Sequence, residues 1–383
     1  MPAKHTAVSI LSKGVVGSIE VDKPAPGPGD VLLKVEYASM IAFDTYMADL
    51  GYAVKEGGYP ITLGNNASGT VERVGEGVSG VKVGDRIAAF SPHIFDRERL
   101  QGTMQEHIVL PDHFCAKIPD NLALDAAATI PDNFVTAFYT LFDHLGLPIP
   151  SPLPATSPPP NASVAILVYG AGTTTGQYLI QLLHASGYTN IVVTASSRHH
   201  NLLRSLGATH TLDYASKTLA ADMAIATAKI APLVRAGGKV AILLPIKVGD
   251  TVAVGDAGMR STIPEEENRF AQGVELKYVK TFTYHQNNDV LKNELMSKIL
   301  PPVLAKGIIM PNRVRLLDRG ATLKERVEEG LDLLRNNKVS GENIIVKVAW
   351  WPCGLYSNAT RCNTIKVGIS ISSIEELRRR IEV

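Results

Sequence analysis

Cysteine is scarce in this 383-residue chain: Cys115, Cys353 and Cys362 form an odd, scattered set. Such a set supports no disulfide framework and suits a reducing compartment, the cytoplasm. No run of 18 apolar residues is present, so no segment reads as a membrane-spanning helix. The residues after Met1 lack the uninterrupted apolar stretch of a signal peptide, which leaves the Asn-x-Ser/Thr triplets at Asn66, Asn161 and Asn358 as chance matches. An excess of one charge is also missing, because 38 Lys+Arg against 37 Asp+Glu leave a net charge of +1. That balance gives no footprint for nucleic acid or for an acidic membrane surface. Internal repeats are absent too.

What is present is a globular composition, 45% hydrophobic over 383 residues, long enough for two or three domains. Short β-type runs broken by glycine, at Val31–Tyr37, Gly69–Gly75 and Gly84–Phe90, predict an antiparallel β domain. A further β run at Met104–Leu110 and an apolar stretch ending near Leu147 complete it. Between Pro148 and Asn161 lie seven prolines, which exclude helix and interior strand and predict an extended surface connection at a domain boundary. Beyond it, Val164–Tyr169 reads as a strand buried on both faces, followed by a helix over Gln177–Ser186, a strand at Ile191–Ala195, a helix ending at Gly207 and a strand at Thr209–Asp213. This alternation predicts a doubly wound parallel sheet. Gly237–Pro245 is another strand, Glu294–Lys306 a helix, and the end of the pattern is strand Val314–Leu317, helix Leu323–Asn336 and strand Ile344–Val348.

The segment Gly170-Ala-Gly172-Thr173-Thr174-Thr175-Gly176 stands between a strand and a helix. There a dinucleotide pyrophosphate sits on backbone N–H groups at the helix N-terminus. The spacing is G-x-G-x-x-x-G, so the flanking elements carry the assignment. At the end of the second strand an NAD site needs an acid for the ribose 2′-OH, but the sequence reads Thr194-Ala-Ser196-Ser197-Arg198-His-His200. Hydroxyls and a guanidinium suit a 2′-phosphate, so the cofactor expected is NADP(H). Serine is also a good helix cap, the other reading of Ser196 and Ser197.

These residues, with Pro24-Ala-Pro-Gly-Pro-Gly29-Asp-Val31, Leu63-Gly64, Ala67-Ser-Gly69-Thr-Val71, Gly75-Glu-Gly77-Val78, Gly84-Asp85-Arg86, Thr136-Ala137-Phe138 and Val339-Ser-Gly-Glu342, resemble the medium-chain dehydrogenase/reductases over roughly 7–348. Within them the chain resembles the zinc-independent quinone reductase and enoyl reductase branch, above all fungal enoyl reductases that act in trans on polyketide synthases. The resemblance implies a GroES-like catalytic β domain (1–147, closed by a return at 308–348), the proline-rich connection (148–161) and a Rossmann domain (162–307). It also implies reduction of the C=C of an enoyl thioester, enone or quinone by NADPH, as monomer or homodimer. Tyr46, after Asp44, matches the tyrosine that lines the cleft near the nicotinamide; a phenol there can hydrogen-bond a carbonyl oxygen that gains charge. Thr136 matches a contact to the nicotinamide side of the cofactor, and Tyr214 a tyrosine beside the 2′-phosphate. Ile41 and Gly64-Asn65-Asn66 stand where the zinc branch has metal ligands, and no cysteine cluster exists, so no metal is expected.

Two features depart from the family. Only 22 residues separate Tyr214 from Gly237, where a helix, a central strand and a second helix need about 40. The sheet therefore reads as lacking one central strand, with 215–236 as one helical stretch. The segment 349–383 is also unlike the family. Both departures suit an alternative function, a catalytically impaired relative that binds a partner.

Overall fold

Antiparallel strands with long buried runs build the first half. The structure, a computed structural model, describes residues 3–94, 101–213, 234–247 and 258–349, all within one compact unit ending at Ala349. Tyr214, nearly all of the interval read as missing a strand, and the extension from residue 350 lie outside the described residues.

Strands β1 (Lys4–Ser12) and β2 (Val15–Asp22) form an antiparallel hairpin that the sequence reading overlooked. The organising strand is β3 (Asp30–Met40), with Val31, Leu32, Leu33, Val35, Ala38 and Met40 buried. After the short β4 (Ile61–Thr62), which pairs with β1, come β5 (Asn66–Val74), β6 (Arg86–Phe90), β7 (His107–Pro111) and β8 (Cys115–Lys117). Strand β5 runs antiparallel along β3, and β6 and β8 extend the sheet beyond it. Along β3, Asp30–Lys34 pairs with β7, whereas Tyr37–Met40 pairs with a strand from the far end of the chain.

The second half opens with β9 (Ile166–Tyr169), β10 (Ile191–Ala195) and β11 (His210–Asp213), parallel in the order β11-β10-β9. Helices Thr174–Ala185 and His200–Ser205 make the crossovers that parallel pairing requires. Strand β12 (Lys239–Leu243) pairs in parallel with β15 (Glu275–Val279), and the two-residue β13 (Ile246–Lys247) and β14 (Met259–Arg260) form a small hairpin. Among the described residues no ladder joins β9 to β12, so the parallel strands lie in two separate sheets.

Two expectations need correction. Strand β9 is not buried on both faces: only Val168 is buried, and Val164 is exposed, because β9 has β10 on one edge and no described strand on the other. The helix expected over 294–306 starts earlier and is not regular: it runs as Asp289–Glu294, a widened turn Leu295–Ile299 and Leu300–Ala305 without a gap. Pro301 and Pro302 lack the N–H groups a regular helix would use.

The chain then returns through β16 (Arg313–Leu317), helix Leu323–Arg335 and β17 (Glu342–Lys347), which runs parallel to β16 and antiparallel to β3. Thr322 starts this helix with a capping box: its hydroxyl accepts from Glu325 N–H, and the Glu325 carboxylate accepts from Thr322 N–H. Arg326, only 2% exposed, donates to the carbonyls of Gly320, Lys347 and Val348. The guanidinium thereby satisfies acceptors that the end of the sheet would otherwise bury. Arg326→Ala leaves those acceptors without donors and should cost about 2–4 kcal/mol in urea unfolding. A cost below about 0.5 kcal/mol would contradict this account.

Candidate functional site

The glycine segment folds as its composition requires. Gly170 turns the chain with φ of 75°, and Gly176 sits so close to the loop that an added Cβ would lie 2.7 Å from Ala171 Cα and 2.8 Å from Gly170 O. Thr173 caps the following helix, its Oγ1 accepting from Gly176 N–H at 3.1 Å. The helix end and its dipole therefore face the mouth of a cleft.

That cleft is a cavity of about 360 Å³. The loop supplies Gly170, Gly172, Thr173 and Thr174, the end of β10 supplies Ala195, Ser196, Arg198 and His199, and Met40–Ala42 with Leu334 and the return segment 339–343 form the opposite wall. The structure thus brings together six of the residues singled out from sequence: Gly170, Gly172, Thr173, Thr174, Ser196 and Arg198. Arg198 Nη2 donates to Ser340 Oγ at 2.7 Å, and His199 Nε2 lies 3.1 Å from the same oxygen. Burial and the neighbouring Arg198 hold the His199 imidazole below its ordinary pKa, so it is neutral there.

The other nominated residues lie outside this lining. Ser197 is exposed on the turn after β10, and Gly176 is buried in loop packing. Thr175 donates to Asn133 Oδ1 at 2.8 Å, and Thr136 is buried and donates to its own helix at Asp132 O. Tyr46 is half-buried at the start of the wide turn Tyr46–Leu50, and burial raises its phenol pKa, which keeps it protonated. Tyr214 lies outside the described residues.

Sequence reasoning missed the polar seam under the cleft. Asn66 accepts from Asp132 N–H and donates to Ser39 Oγ, and Asn133 donates to Thr129 O and to Asp132 Oδ1. Asn312 accepts nothing from its neighbours at Oδ1 but donates to Gln177 Oε1 and to Thr174 O. Gln177 in turn donates to Gly341 O at 3.2 Å. Asp44, fully buried, accepts from Ile41 N–H at 2.8 Å and Gly64 N–H at 3.0 Å. Desolvation pushes its pKa up to about 6, and desolvation with the nearby Asp44 carries Asp132 to about 7. The only available sequence signal was a set of Asp and Asn residues at positions that otherwise read as core. Among the described residues no group of three or more His, Cys, Asp or Glu is arranged to hold a metal ion, and Ile41 has no ligand atom to offer.

Comparison with known proteins places this geometry. Residues 27–120 match the alcohol dehydrogenase GroES-like domain family. The trans-enoyl reductase tazE of Aspergillus terreus is 31% identical over 221 residues, covering 56% of this chain and 70% of the relative. The enoyl reductase component lovC of lovastatin nonaketide synthase, also from Aspergillus terreus, is 25% identical over 358 residues, 86% of this chain and 88% of the relative. The mycobacterial protein Rv1454c, solved in complex with NADPH, superposes with a TM-score of 0.65 at 18% identity over 90% of this chain and 99% of its own, a likeness of fold.

Asp44 and Asp132 keep their protons to higher pH in the folded protein than in the unfolded chain, where the value is 3.8. Folding therefore takes up protons between about pH 4 and 7, and their contribution to stability is lost as pH rises through that window. Asp132→Asn should gain stability against the parent between pH 4 and pH 8, by on the order of 3 kcal/mol in urea unfolding. A difference independent of pH would show that the carboxyl is not held protonated.

Proposed function

Because this chain belongs to the medium-chain dehydrogenase/reductase superfamily, in its enoyl reductase branch, and is an oxidoreductase, we propose that it reduces the C=C of an α,β-unsaturated carbonyl with NADPH and without a catalytic metal. The observation that carries this reading is the cleft that joins the glycine loop and Arg198 to the segment leading to Tyr46. Its residues fit a dinucleotide: Gly170, Gly172, Thr173 and Thr174 suit the pyrophosphate, with Thr175 and Gly176 shaping the same turn. Ser196 and Arg198 suit a 2′-phosphate, because a guanidinium pairs well with a dianion and the stretch Thr194–His200 holds no acid for a 2′-OH. Ser197 and Tyr214 belong to the same proposed phosphate subsite, and Thr136 to the nicotinamide side.

When bound, the cofactor supplies a hydride for the β-carbon. Tyr46, protonated because burial raises its pKa, donates a hydrogen bond to the carbonyl oxygen as that oxygen gains charge. The half-buried, largely apolar setting of Tyr46 strengthens that bond by excluding water. Solvent supplies the proton to the α-carbon, so no dedicated acid is needed. Ile41 and Asn65 stand in for metal ligands in this reading, and hydrogen bonding takes over the polarisation of the carbonyl.

The substrate class is an enoyl thioester, enone or quinone. A carrier-bound enoyl chain presented by a polyketide synthase is the preferred case, in line with the naming of lovC as a synthase component. The test is titration of the full chain with NADPH and NADH, followed by nicotinamide fluorescence, and then turnover of an α,β-unsaturated thioester. Saturable binding that prefers NADPH, with turnover, supports the reading; no binding of either cofactor overturns it in favour of a partner-binding relative. Arg198→Ala should weaken NADPH about tenfold or more, the loss of a charged hydrogen bond, and leave NADH unchanged. An equal loss for both cofactors overturns the 2′-phosphate assignment.

A further inference from the structure

We infer that Arg335 is a positioning residue for Tyr46, acting through Asp49 from the opposite end of the sequence; the inference rests on the catalytic reading of Tyr46. Tyr46 stands at the junction of two short helical turns, Ala42–Thr45 and the wider Tyr46–Leu50, the second ended by Gly51 with φ of 67°. Two turns hold few bonds of their own, so their orientation depends on what grips them from outside.

Two carboxylates grip it, one on each side of Tyr46. Two residues before it, Asp44 takes the N–H groups of Ile41 and Gly64, which fixes the turn to the β domain. Three residues after it, Asp49 takes a bidentate pair from Arg335, Nη2 to Oδ1 at 2.7 Å and Nε to Oδ2 at 2.9 Å. The Asp49 carboxylate is 10% exposed, and its hydrogen bond with Arg335 raises the guanidinium pKa above its ordinary value. Arg335 is itself braced by Asp332 at 2.8 Å. A planar fork on a planar carboxylate fixes direction as well as distance, which a lysine in the same place would not do.

The helix that carries Arg335 also touches the chain before Tyr46. A Cβ on Gly330 would collide with Met40 Sδ, so the helix backbone lies directly on the strand end that leads into Ile41–Tyr46. Leu334, next to Arg335, lines the cleft with Met40, Ile41 and Ala42. The return helix therefore holds the Tyr46 segment at Met40 and at Asp49, and the phenol is carried between the two points.

The test measures turnover of an α,β-unsaturated thioester and NADPH affinity by fluorescence in the full chain, for Arg335→Ala, Arg335→Lys, Tyr46→Phe and the double variant Arg335→Ala/Tyr46→Phe. Arg335→Ala should lower kcat about tenfold, leave the Kd for NADPH within about twofold, and cost nothing further once Tyr46→Phe is present; Arg335→Lys should recover only part of kcat. Should Arg335→Ala fail to fold, Arg335→Lys alone and combined with Tyr46→Phe makes the same comparison. Equal losses from the Arg335 substitution with and without Tyr46→Phe overturn the inference, as does a fall in NADPH affinity that matches the fall in kcat. If Tyr46→Phe itself leaves turnover unchanged, or the parent shows none, the reading of Tyr46 fails and the inference falls with it; if only the Arg335 variants are silent, the inference alone falls.

Discussion

A seam of buried side-chain amides and hydroxyls is what the cleft depends on. The β domain and the parallel sheets share no ladder among the described residues, so backbone hydrogen bonds cannot register one half against the other. Instead Asn133 reaches Thr175, Asn312 reaches Gln177 and Thr174, and Gln181 exchanges bonds with the backbone of Met310. Apolar packing alone would hold these surfaces together in several sliding arrangements. Amide pairs in a low-dielectric interface do not slide, because every displaced register leaves a donor or acceptor unpaired. The wall that carries the glycine loop is thereby fixed against the wall that carries Met40–Ala42 and the return segment.

Burial of charge follows from the same seam. Desolvation raises the pKa of both Asp44 and Asp132, and the nearby Asp44 adds to the rise at Asp132. Asp49, by contrast, meets a guanidinium, Arg335 Nη2 lying 2.7 Å from its Oδ1. The three aspartates thus divide: Asp44 braces the backbone at Ile41 and Gly64, Asp132 accepts from the Asn133 side chain, and Asp49 anchors Arg335. The arrangement uses polar atoms for direction and leaves the bulk of the attraction to Phe43, Met47, Phe134 and their neighbours.

The glycine loop was legible in sequence because its chemistry is local: Gly170 needs a positive φ, Gly176 needs room, and Thr173 caps the helix three residues before Gly176. The parallel alternation was legible for the same reason, since β10 at Ile191–Ala195 announces itself by composition. The seam was not. Asn133 and Thr175 are 42 residues apart and Gln177 and Gly341 are 164 apart, and an Asn or Gln shows no periodicity that marks its partner. Arg326 escaped notice as well, because an arginine within a charged amphipathic helix reads as solvated until the carbonyls of Gly320 and Lys347 are seen to converge on it. Where Arg198 and His199 close on Ser340, the partners stand 142 and 141 residues apart in sequence, and only folding makes them neighbours.

The proline-rich connection between Pro148 and Pro160 is largely exposed, with Ala155 N–H tied to Ala185 O and the segment laid beside Ser186 and Gly187. Proline carries no N–H, so seven of these residues withhold the donor that an approaching β edge or a protease cleft uses to seize an extended chain. Exposed connectors are ordinarily where folded proteins are nicked and where stray strands attach. Here the surface stretch is chemically poor in the handles either process needs, so the link between the two walls can lie open to solvent and still persist.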